Sequence, residues 1–160
     1  MTDTTLSRPA PDFKLKDQNG KTCSLKSFAG RWLVVYFYPS DKSLNCRQEA
    51  CDFRDEQQTI AQFGNAAIVG INHASVESHK AFADRNRLKF PILSDPGHKV
   101  TEAYGAWRTG GVKWHDRPWP TRRNTYIVNP KGDIVKQYIG VIPRGHIETI
   151  IHDLQVLQGL

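Results

Sequence analysis

Two apolar runs constrain this chain more than anything else in it: WLVVYFY at residues 32–38 and AAIVGIN at residues 66–72. Each is continuous rather than alternating, and rich in β-branched or aromatic residues. That is the pattern of a strand buried on both faces of a sheet. Between them lies a helical stretch from about Asn45 to Phe63. Strand, helix and strand in this order predict a right-handed βαβ unit.

The rest of the chain supplies elements around that unit. DFKLKDQNGKTCSLKSF alternates apolar and polar residues about the turn dipeptide Asn19-Gly20 and reads as a β-hairpin, after a loose start. Ser75 opens a second helix that runs to about Asn86. Asp95-Pro96 predicts an N-cap followed by proline at the first helical position, with Gly105 closing that helix. NTYIVNPKGDIVKQYIG (124–140) is a second hairpin turning at Asn129-Pro130-Lys131-Gly132. Ile147, Ile150, Ile151, Leu154 and Leu157 fall on one face of a C-terminal helix. The expectation is an α/β chain: a thioredoxin-like fold with a central mixed β-sheet flanked by helices and an added N-terminal β-hairpin. Residues 1–160 would form one domain.

Composition bounds the function. Apolar residues make up 39% and charged residues 24%, the balance of a soluble globular chain. No apolar run approaches the roughly 20 residues of a membrane helix. The first residues, MTDTTLSRPAPDF, hold no apolar signal core, so the expected location is cytoplasmic. The net charge is +6, but Lys and Arg are interspersed with acidic residues, which argues against a nucleic-acid-binding stripe.

Three cysteines in a reducing compartment do not make a structural disulfide framework. No CxxC or paired Cys/His cluster points to zinc, and the six dispersed histidines point to no other metal centre. Cys46 and Cys51 lie in YPSDKSLNCRQEACDF, where the chain leaves a strand for a helix. Asn45 is a favoured N-cap residue and Gln48 follows three places later, which would make Cys46 the first helical residue. Unpaired N–H groups and the helix dipole favour a thiolate there, and Arg47 adds a positive charge. Cys46 is therefore a candidate nucleophile. At 100° and about 1.5 Å per residue, Cys46 and Cys51 point roughly 140° apart with Cα atoms about 8–9 Å apart. A disulfide reaches only to about 7 Å, so joining them requires the helix to unwind. From spacing alone Cys51 is equally well a plain core cysteine. Cys23, in a predicted strand, reads as structural.

Taken together, APDFKLKDQNGK, YFYPSDKSLNCRQEACDFRD, SVESHKAFA, FPILSDP, AYGAW and RNTYIVNPKG resemble, in that order, the peroxiredoxins of the bacterioferritin-comigratory-protein (Q-type) subfamily. The resemblance implies a thiol peroxidase acting on hydroperoxides without a cofactor. Cys46 would be the peroxidatic cysteine and Cys51 the resolving one. Thioredoxin or a glutaredoxin-like dithiol would reset their disulfide, and the chain would be a monomer or weak dimer. Pro39 would shield the thiolate, and the Ser43 hydroxyl would bond peroxide and sulfur. Arg123 would direct its guanidinium at both, oriented by Glu49. The subfamily's threonine-proline-glycine-cysteine is SLNC here, so serine keeps the hydroxyl, while Leu44 and Asn45 replace the residues that stiffen the loop.

GGVKWHDRPWPTRR (110–123), with Trp114, His115 and Trp119, departs most from the family pattern and reads as a loop that shapes substrate entry or receives the reductant. His73 follows a strand end and fits a solvated loop at least as well as a functional position. Two other functions suit the same features: a peroxide sensor with weak turnover, and a thiol-disulfide oxidoreductase acting on proteins.

Overall fold

The two runs become adjacent parallel strands. β4 (Trp32–Phe37) pairs with β5 (Ala66–Asn72) from Trp32 opposite Ala66 to Phe37 opposite Ile71. The structure, a computed structural model, describes residues 2–63, 65–108 and 120–159. Both faces of β4 are buried: Val34 and Tyr36 join one apolar cluster, Leu33, Val35 and Phe37 the other. Gly70 lets Tyr36 lie flat across β5, because a Cβ there would sit 2.9 Å from the Tyr36 ring. Tyr36 then stacks on Phe53 at 4.5 Å between ring centroids, a contact worth about 1 kcal/mol beyond its buried area.

The remaining strands are β1 (Thr2–Pro9), β2 (Lys14–Lys16), β3 (Thr22–Ser24), β6 (Ile92–Ser94), β7 (Thr125–Val128) and β8 (Asp133–Ile139). Among the described residues they complete a mixed eight-stranded sheet in the order β1-β8-β7-β4-β5-β6-β2-β3. The β2–β3 hairpin turns where expected. Asp17 Oδ1 accepts from the N–H groups of Asn19 and Lys21, and Gly20 takes the left-handed conformation at φ 79°. The β7–β8 hairpin turns through Asn129, whose Oδ1 accepts from the N–H groups of Lys131 and Asp133.

Helices α1 (Leu44–Asp55), α2 (Gln57–Phe63), α3 (Val76–Asn86), α4 (Lys99–Ala103) and α5 (His146–Leu157) cover the sheet. Three expectations are corrected. The single helix over 45–63 is two, broken at Glu56, whose φ of −106° and ψ of 8° leave the helical path. The opening segment, read as loose, is β1, which covers the otherwise open edge of β8. The helix at Asp95-Pro96 starts later, at Lys99 after a left-handed His98. Asp95 caps it from a distance, its carboxylate accepting from both the N–H and the hydroxyl of Thr101. On α5, Ile147, Ile150 and Leu154 are buried, with Ile151 and Leu157 packed beside them. Among the described residues no helix is long and apolar enough to cross a membrane.

Candidate active site

β7 runs antiparallel to β4, with Thr125 opposite Tyr36, so the end of β4 and the start of β7 lie at the same end of the sheet's central strands. The chain leaves β4 through residues 38–43 into α1 and enters β7 from Arg123 and Asn124. Phe37 N–H donates to the Asn124 carbonyl at 2.8 Å and clamps the two segments. This topology brings together side chains 77 residues apart: Arg123 Nη2 donates to Cys46 Sγ at 3.4 Å. Arg123 Nη1 donates to Glu49 Oε1 at 3.0 Å. Glu49 follows Cys46 by almost one helical turn, so both face the same guanidinium.

All three residues are buried, Glu49 completely. Burial pushes the Glu49 carboxyl up to about 7, although Arg123 pulls it back toward the charged form, and its Oε2 has no hydrogen-bond partner among the described residues. Burial works against the charge on Arg123, but Glu49 and Cys46 outweigh it and push the guanidinium above its ordinary range. Arg123 is thus a fixed positive charge beside the sulfur, presented in a planar fork.

The start of α1 differs from expectation. Its N-cap is Ser43, in extended conformation (φ −84°, ψ 136°), not Asn45. Ser43 Oγ accepts from the Cys46 N–H at 3.3 Å, so Cys46 is the third helical residue and its N–H is paired. The helix could start earlier because Leu44 and Asn45 both adopt helical geometry with their side chains in solvent, Leu44 being 80% exposed. Gln48 does not close a capping box; its Nε2 donates to Asp52 at 2.8 Å.

The loop before α1 is held by a network that sequence reading missed. Asp41 accepts from Tyr38 Oη at 2.5 Å, from Ser78 Oγ at 2.7 Å and from His79 Nδ1 at 2.7 Å. Burial alone would raise the Asp41 carboxyl, but these donors, His79 above all, bring it below its ordinary value. Asn72 Nδ2 donates to the carbonyls of Tyr38 and Pro39 at 2.8 and 3.0 Å. The available signal was position: Asn72 ends a buried strand and His79 lies on the inner face of α3. Pro39, half-buried, lines a cleft of about 180 Å³ with Arg108, Arg122, Arg123, Val141 and Ile142.

Cys51 does not join this cluster. It is half-buried on another face of α1, with Sγ 3.8 Å from Asn86 Oδ1, and both thiols are free. Cys23 is buried in β3, where burial pushes its thiol up. His73 Nδ1 lies 3.3 Å from Thr121 Oγ1, with its ring edge-on to Trp107. Trp114, His115 and Trp119 of the basic aromatic loop lie outside the described residues. Among the described residues no group of three His, Cys, Asp or Glu side chains could hold a metal ion.

A buried thiol at the head of a helix, in contact with an arginine at the end of a thioredoxin-like sheet, defines the class of thioredoxin-fold thiol enzymes. The AhpC/TSA family model matches residues 6–137. Peroxiredoxin Bcp of Bacillus subtilis is 31% identical, over 94% of both chains. A chloroplastic peroxiredoxin Q of Triticum aestivum is 43% identical over 94% of this chain, which spans 65% of that longer protein. Among solved structures, Xylella fastidiosa PrxQ superposes with a TM-score of 0.85 at 25% identity, covering 97% of this chain and 95% of that one. Xanthomonas campestris bacterioferritin comigratory protein, studied for alkyl peroxide reduction, superposes with a TM-score of 0.81 at 27% identity over 90% of each chain. The chain belongs to the AhpC/TSA family and, within it, to the Bcp and Q peroxiredoxins.

Proposed function

We propose that this peroxiredoxin reduces hydrogen peroxide and small organic hydroperoxides with Cys46 as the nucleophile. The observation that carries the reading is the Arg123 fork, one nitrogen on Cys46 Sγ and the other on Glu49. The Cys46 thiolate attacks one peroxide oxygen, the O–O bond breaks, and the departing alkoxide takes a proton to leave as alcohol or water. Cys46 becomes a sulfenic acid. Arg123 stabilises negative charge as it passes from sulfur to the leaving oxygen, without reorganising at that moment. Ser43 Oγ, already accepting from the Cys46 N–H, keeps its own O–H free to donate to the peroxide. Pro39 limits water at the mouth of the cleft.

Cys51 then attacks Cys46 Sγ, the S–S bond forms, and the sulfenic oxygen leaves as water. A dithiol protein such as thioredoxin or a glutaredoxin-like reductant takes up the disulfide by exchange and is itself oxidised. The reading places the protein, as one domain and a monomer or weak dimer, in a reducing compartment such as the cytoplasm.

Peroxide consumption coupled to a thioredoxin system tests this. Sustained turnover, abolished in Cys46→Ser, is expected; Cys51→Ser should react once and stall as the sulfenic acid. Fast reaction of one equivalent without turnover would favour the peroxide sensor, and reduction of protein disulfides but not of peroxide would favour the oxidoreductase.

A further inference from the structure

Three residues of α1 converge on one residue of α3. Arg47 Nε donates to Asn86 Oδ1 at 3.1 Å, and Cys51 Sγ lies 3.8 Å from the same oxygen. Arg54 Nη1 donates to the Asn86 backbone carbonyl at 2.8 Å. Positions 47, 51 and 54 form one stripe of a helix, turned away from the face that carries Cys46. Asn86 is itself fixed: it is buried, its Nδ2 donates to the Phe82 carbonyl at 2.9 Å, and it is the last residue of α3 before a left-handed Arg87. Its carbonyl is one that a helix C-terminus leaves without an intrahelical partner, and Arg54 supplies the donor.

We propose that Asn86 is a positioning residue for the second half of the catalytic cycle, a clasp that sets how often Cys51 is released to meet Cys46. This inference rests on the reading of Cys51 as the resolving thiol. Arg47 lies within the stretch that must unwind to join the two cysteines, and Cys51 must turn away from α3 to reach Cys46. Both contacts with Asn86 Oδ1 are therefore broken in the disulfide form, whereas the Arg123 contacts of the first step do not involve Asn86. A group bound in one state and free in the other shifts the equilibrium by its differential interaction. The grip of Asn86 on Cys51 and Arg47 thus sets the time during which the sulfenic acid is open to a second peroxide and conversion to sulfinic acid.

The test is a single-turnover measurement on the full chain, following sulfenic acid and disulfide by rapid quench and mass spectrometry. Asn86→Ala is expected to form the Cys46–Cys51 disulfide about five- to tenfold faster than wild type, with the rate of the first, peroxide-consuming step unchanged. The peroxide concentration that converts half the protein to the sulfinic form, about 32 Da heavier, should rise by a similar factor. Arg47→Met, at an exposed position, keeps the apolar stem and drops the bond, so it carries the test even if Asn86→Ala fails to fold. It should accelerate disulfide formation about threefold, and the double variant should be no faster than Asn86→Ala alone, because both remove one interaction. A wild-type resolution rate in Arg47→Met, or full additivity in the double variant, overturns the inference alone. Wild-type protein that never forms the Cys46–Cys51 link overturns both the inference and the reading beneath it.

Discussion

Arg123 Nη2 lies 3.4 Å from Cys46 Sγ, and the other arm of the same guanidinium is occupied by Glu49 at 3.0 Å. One arm therefore orients the other, a geometry that a lysine ammonium cannot reproduce. Arg123→Lys is expected to slow reaction with hydrogen peroxide by about 10²-fold or more, the cost of losing a preorganised donor to the reacting atoms. Stopped-flow tryptophan fluorescence or competition for peroxide would measure it. A rate within about twofold of wild type would remove Arg123 from the reacting centre.

Glu49 makes stability depend on pH with a defined sign. Its carboxyl lies at about 7 in the folded protein against an ordinary 4.5, because burial outweighs the attraction of Arg123. Between those values the folded state binds more protons than the unfolded one, so this group's contribution to stability falls as pH rises through the window and is level above it. The stability of wild type relative to Glu49→Gln should therefore decline from about pH 4.5 to about pH 7 in urea unfolding. Parallel curves across that range would contradict the assignment.

Asp41 has the opposite sign. Hydrogen bonds from His79, Tyr38 and Ser78 overcome burial and hold its carboxyl below the ordinary 3.8. Its contribution is present above the unfolded value and is lost as pH falls through the lower folded value. Asp41→Asn cannot accept from all three donors, and should cost about 2–4 kcal/mol at neutral pH while flattening the acid limb of the stability curve. Unfolding midpoints at neutral and acid pH check both parts. The same variant loosens the segment between Pro39 and Ser43, so its peroxide step should also slow.

Several of these features were legible in the sequence because they follow from local patterns. WLVVYFY and AAIVGIN carry the pattern of strands buried on both faces, and Asn129-Pro130-Lys131-Gly132 that of a turn between alternating runs. Arg123, Glu49, Ser43 and Pro39 were proposed from resemblance to a family pattern, which carries three-dimensional information that spacing alone lacks. The failures are also physical. Asn45 and Ser43 are both good caps, and the choice between them depends on whether the exposed Leu44 starts the helix. That in turn depends on a loop anchored by Asp41 and Asn72 to distant elements. The Asp41–His79 pair spans 38 residues, and Cys51 and Asn86 are 35 apart. No periodicity encodes either contact, because both depend on how α3 settles against the sheet. The strand β1 was missed for the same reason: it exists as a partner for β8 rather than through its own pattern.

The central claim is that Cys46 and Cys51 form one redox pair although the folded helix holds them apart. Its most direct test is intact and peptide-level mass spectrometry on reduced protein given one equivalent of hydrogen peroxide. A rapid loss of about 2 Da that maps to a Cys46–Cys51 link is expected. A gain of about 16 Da held on Cys46, with Cys51 still alkylatable, would contradict the pairing, and an unchanged mass would contradict the reactivity of Cys46 itself.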